Sequence, residues 1–145
     1  MLLIAEECRD YLVSQNLVKK PSTQSGNKPK CYVDPLTGAP SPEESGGTTL
    51  TLRYAGGLSS PTFGEFVDQI DIDFIIRATD LRSALELGLN ISNAIDGLKA
   101  TNVDGLRVEQ ITRTRPFDRL MGPDQPASYT LIGQFRFMVR KSVQV

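Results

Sequence analysis

Three aspartates, Asp68, Asp71 and Asp73, and a run of cations near the C-terminal end, Arg113, Arg115, Arg119, Arg136, Arg140 and Lys141, are the residues whose types and spacing could do chemistry. Residues 71 and 73 share one face of a strand about 7 Å apart, close enough for paired carboxylates to hold Mg²⁺. The alternative is an acidic outer strand face that meets a basic neighbour. The cations could contact phosphate, form a solvated face, or serve a protein interface, where the planar guanidinium is favoured. Only Phe117 lies among Arg113, Arg115 and Arg119 as a stacking platform, which is sparse for nucleic-acid binding.

The 145 residues include no histidine. That removes the commonest general base near neutral pH, the Ser-His and Cys-His nucleophile pairs, and every zinc site that uses imidazole. Two cysteines cannot build a four-thiolate site, and neither a G-x-x-x-x-G-K-[ST] loop nor a G-x-G-x-x-G turn occurs. The expectation is a protein that is not an enzyme and uses no cofactor and no metal. Cys8 and Cys31 are expected to be reduced thiols.

The net charge is −1, but residues 1–104 carry 9 basic and 14 acidic side chains whereas 105–145 carry 7 basic and 3 acidic. A non-specific nucleic-acid coat would show a strong basic surplus, because phosphate neutralisation dominates its affinity. The N-terminus has neither a basic leader nor a long apolar run, and no stretch approaches the roughly 18–20 apolar residues of a membrane span. Neither export by a signal peptide nor membrane embedding is expected.

The elements that must position these residues follow from periodicity. Leu2, Leu3, Ile4, Cys8, Tyr11 and Leu12 recur at helical spacing, so residues 2–16 read as an amphipathic helix that can end at Asn16. Strands are predicted for Thr48–Tyr54 and Phe66–Ala78, where apolar and polar residues alternate, with Cys31-Tyr32-Val33 as a short segment between loops. Ala84, Gly88, Ile91, Ile95 and Leu98, widened by Leu81 and Leu85, predict a helix from about 80 to 99, after Asp80. Leu106–Thr114 reads as a strand with a bulge between Val108 and Ile111, and Tyr129–Arg140 as a long final strand. The predicted fold is α+β, a single domain over 1–145 with a mostly antiparallel sheet and two main helices packed on one face. Residues 21–30, 34–47 and 116–127 are predicted long loops, and long loops in a compact domain are usually functional.

A strand ending in Arg77, a helix carrying Ala84 to Leu98, a strand ending in Thr112-Arg113-Thr114-Arg115-Pro116, a loop Asp118 to Asp124 and the strand Tyr129–Arg140 follow one another from Asp71 onward. This order resembles the tail-terminator (tail-completion) and minor-capsid proteins of long-tailed bacteriophages over about half the chain. The N-terminal helix and proline-rich loop extend the likeness loosely over the whole. The resemblance implies a structural virion protein of the tail or neck, assembled in the host cytoplasm, that caps the finished tail tube as a homo-oligomeric ring, a hexamer as a rule, and joins it to the head-tail connector protein. DNA would pass through the channel. A neck adaptor or head-closure protein is the neighbouring alternative. From other classes, a sequence-independent nucleic-acid-binding module or a carboxylate-metal nuclease remains. A head-to-tail ring needs two different complementary patches on each subunit. Asp71 and Asp73, or Glu43 and Glu44, are the expected acidic side, and Arg113, Arg115, Phe117 and Arg119 the basic side, of such a contact.

Overall fold

The computed structural model describes residues 4–22, 27–34, 47–56, 67–103, 106–119 and 129–140. The elements run α1 (Ile4–Ser14), β1 (Lys30–Asp34), β2 (Thr48–Gly56), β3 (Val67–Ala78), α2 (Leu81–Ile95), β4 (Lys99–Val103), β5 (Leu106–Arg119) and β6 (Tyr129–Arg140). The fold is α+β, with one six-stranded sheet in the order β1-β2-β3-β6-β5-β4. Every strand pair is antiparallel except β1 with β2. A parallel pair cannot be closed by a tight hairpin and needs about a dozen residues or more of crossover, which is the length of chain between Asp34 and Thr48.

Alternation decides which face is buried. Leu50 and Leu52 on β2, Ile72, Phe74 and Ile76 on β3, and Leu131, Phe135 and Phe137 on β6 all point to the covered face and are fully or almost fully buried. Both helices pack on that side: α1 against β1, β2 and β5, and α2 against β3, β5 and β6, giving one contiguous core. Phe74 is its aromatic centre, with ring centroids 4.9 Å from Phe135 and 6.4 Å from Phe137.

Helix α1 is fixed at both ends. The Tyr54 hydroxyl accepts from the Ala5 amide at 3.0 Å, satisfying one of the N–H groups a helix start leaves without an intrahelical partner. At the other end Asn16 takes φ 62°, and the Leu17 and Asn16 amides donate to the Leu12 and Val13 carbonyls, a Schellman closure. The helix stops where Asn16 led the sequence to expect.

Helix α2 starts on Asp80, whose carboxylate accepts from the Arg82 and Ser83 amides. The Ser83 hydroxyl bond, followed by the Arg82 amide bond, holds the Asp80 carboxyl below its usual range. The helix ends at Ile95, short of the expected 99. Asp96 (φ −66°, ψ 125°) and Gly97 (φ 85°) form a type II turn closed by the Leu98 amide on the Ile95 carbonyl, and only glycine enters that second position without strain. The turn releases Lys99–Val103 to become β4, a strand the periodicity did not predict.

Two further expectations are corrected in β5. Pairing runs without a shift from Leu106 to Arg113, so there is no bulge between Val108 and Ile111, although both are buried. The irregularities lie between Arg113 and Arg115 and between Arg115 and Asp118. The strand also continues through Pro116 to Arg119, into the segment expected to be a loop. Proline is tolerated there because it sits in a bulge, where no ladder hydrogen bond is required of it.

Candidate interaction surface

The face of the sheet turned away from the helices carries a cross-strand polar network. Asp71 on β3 stands opposite Arg136 on β6 and accepts from its Nε at 3.0 Å. Asp73 stands between Arg53 on β2 and Gln134 on β6, accepting from Arg53 Nη2 and Gln134 Nε2, each at 3.1 Å. The Thr114 hydroxyl donates to Gln134 Oε1 at 2.9 Å. The hydrogen-bonded row Arg53–Asp73–Gln134–Thr114 thus crosses four strands, β2, β3, β6 and β5. Directly opposite residues are the pairs that stabilise a sheet, and here β3 supplies the acids while its neighbours supply the donors. Ile75 faces Ile132 between these polar rows and the Arg77–Thr130 pair.

Both predicted carboxylates are therefore engaged within the chain. A divalent cation at Asp71 or Asp73 would have to displace a guanidinium. Among the described residues no group of three or more metal-ligating side chains comes together. The Asp68 side chain lies outside the described residues, as do Glu43, Glu44 and Lys141.

The predicted basic residues separate into two environments. Arg113 and Arg115 are exposed on the outer run of β5, beyond the last residues that pair with β4. The Arg113 amide donates to Asp96 Oδ1 at 2.9 Å, which caps an N–H of that open edge. Pro116 offers no N–H, and two bulges break the ladder. Capping, proline, bulges and charge are the devices by which natural sheets keep an exposed edge from pairing with another strand. This run exposes side chains and withholds its backbone.

Phe117 is turned inward. The second bulge turns its ring onto the covered face, 6.4 Å from Phe74 and 6.0 Å from Phe135 by centroid. It fills the space left by two glycines: a Cβ on Gly88 would lie 3.1 Å from the ring, and one on Gly133 2.9 Å. Phe117 therefore wedges α2 against β6 and is not a platform beside the arginines. Arg119 stands opposite Leu131 in the backbone register, and its side chain lies outside the described residues.

The sequence reading missed a second surface. Leu85, expected to widen the buried stripe of α2, is 51% exposed, and Leu89 one turn later is 61% exposed. The buried stripe is Ala84, Leu87, Gly88, Ile91, Ser92 and Ile95. Leu85 and Leu89 are four apart and lie off that row by the helical period, and this was the legible signal. On the opposite flank of the same helix, Glu86, Leu87 and Asn90 line a groove of about 230 Å³ with Leu17, Lys28 and Pro29.

No protein-family model matches this chain. No curated protein matches it either. Among the described residues, no helix is long and apolar enough to cross a membrane.

Proposed function

We propose that this protein is a structural ring subunit, a tail terminator that closes a phage tail tube and joins it to the head connector, with a neck adaptor using the same surfaces as the second reading. The observation that carries this is the outer run of β5. Arg113 and Arg115 stand on a strand whose backbone is capped against pairing, and no described carboxylate neutralises their guanidinium groups. Exposed guanidinium groups of this kind fit acids on another protein.

The acids are supplied by a second copy, since residues 1–104 hold the surplus of acidic over basic side chains, 14 against 9. Asp71 and Asp73 are poor candidates because each already holds an arginine of its own chain. A nucleic-acid coat is disfavoured by Phe117, the aromatic nearest the arginines in sequence, which is packed against Gly88 and Gly133 and offers no face to a base.

Charge reversal tests the reading. Arg113→Glu with Arg115→Glu should leave the melting temperature of the monomer unchanged and abolish self-assembly in sedimentation velocity. Assembly that persists through the double reversal would remove the arginines from the contact. A steep salt-dependent affinity of the wild-type protein for duplex DNA, lost in the same variant, would move the function to nucleic-acid binding.

A further inference from the structure

We infer that successive copies dock through α2, the Leu85–Leu89 ridge of one subunit entering the groove on the opposite flank of α2 in the next. The inference rests on the ring reading and names its contact. Two leucines four residues apart, each more than half exposed, form an apolar ridge on a helix whose core stripe is already complete without them. Leu17, Pro29 and Leu87 line the groove together with polar side chains, among them Lys28, Glu86 and Asn90. Ridge and groove lie on two flanks of one helix, so a copy whose ridge is seated in one neighbour can offer its groove to another. Such an arrangement is heterologous, the kind of contact that closes rings.

The charges match. Arg82 precedes the ridge, and Arg113 is held through its backbone amide at Asp96, the C-terminal cap of the same helix. Glu86 lines the groove and can receive an arginine from the next copy, and Lys28 in the same lining suits Asp96. Within one chain Glu86 accepts from Arg82 at 3.1 Å, with side chains 86% and 64% exposed for Arg82 and Glu86. Exposed i,i+4 pairs contribute little, so exchanging this one for an intersubunit pair costs little.

The test uses the full chain in native mass spectrometry. A ridge variant, Leu85→Glu with Leu89→Glu, and a groove variant, Asn90→Trp, should each be monomeric with wild-type melting, because all three positions are exposed. Mixed one to one, they should form a heterodimer and nothing larger, since each supplies the patch the other has lost. The milder pair Leu85→Ser with Leu89→Ser should weaken assembly by on the order of 100-fold. Rings surviving in the ridge or groove variant, or a mixture without heterodimer, would overturn this contact and leave the ring reading standing. A wild-type protein that never assembles would take both down.

Discussion

The two faces of β3 show how one strand serves two purposes. Ile72, Phe74, Ile76 and Ala78 point into the helix-covered face and are completely buried, while Asp71, Asp73, Ile75 and Arg77 alternate with them on the other side and keep part of their surface exposed. On the covered side, stability comes from area removed from water and from aromatic packing. On the open side, the charges are matched strand by strand, with side-chain exposures of 17% for Asp71 and 16% for Asp73 against 40% and 49% for Arg136 and Arg53. Such half-exposed pairs set register and neutralise charge more than they hold the fold. The covered face holds the fold together, and the outer run of β5 carries the exposed Arg113 and Arg115.

Substitutions should separate the two. The largest effect is expected from Phe74→Ala, which removes the ring at the centre of the aromatic cluster and should cost about 3–5 kcal/mol in urea denaturation. A loss no larger than that of an open-face change would break the distinction. Next, Gly133→Val should cost about 1–3 kcal/mol because the new side chain meets the Phe117 ring. Combining it with Phe117→Ala should recover part of that loss, a coupling that additive behaviour in a double-mutant cycle would refute.

Alkaline pH probes the covered face through its titratable groups. Burial, and then the neighbouring Cys31 thiolate, push the Cys8 thiol well above its ordinary 9.0. Burial also pushes up Cys31 and the Tyr54 hydroxyl. A raised acid keeps its proton in the fold after the unfolded chain has lost it. Its stabilisation is complete below the unfolded value and is lost as pH rises toward the folded one. The unfolding free energy read from urea denaturation should therefore fall between about pH 9 and about pH 11 by up to roughly 1.4 kcal/mol per thiol per pH unit. A flat free energy over that range, or rapid alkylation of either thiol in the folded protein, would show that Cys8 and Cys31 are not sealed in the core.

The smallest effect belongs to the open face. Asp71→Asn with Asp73→Asn should cost no more than about 1 kcal/mol per bridge, and less in high salt. A loss comparable to that of Phe74→Ala would mean that the polar network, and not the covered face, holds the sheet together.

The alternation in β2, β3 and β6 was legible because each strand has one buried face, and the end of α1 was legible in Asn16. Strand β4 was not, since Lys99-Ala100-Thr101-Asn102-Val103 carries no alternation of its own and gains its identity from the Asp96–Gly97 turn that precedes it. Phe117 was grouped with the arginines because it is their neighbour in sequence. Two bulges, invisible in composition, rotate it onto the covered face, whereas Arg113 and Arg115 stay exposed. Residue type alone adds Leu85 to the apolar stripe, whereas the helical period, with Gly88 packed against Phe117, sets the buried row apart from it. Asp71 and Asp73 were placed correctly on one strand face, but their partners Arg136 and Arg53 depend on strand order, which no local pattern encodes.

The central claim is that this protein is a subunit of a closed ring. Native mass spectrometry of the wild-type chain over a concentration series, with negative-stain images of any assembly, tests it most directly. The account predicts a single closed species of about six copies with an open centre. A strict monomer at the highest soluble concentration, or a two-fold dimer in place of a ring, would contradict it.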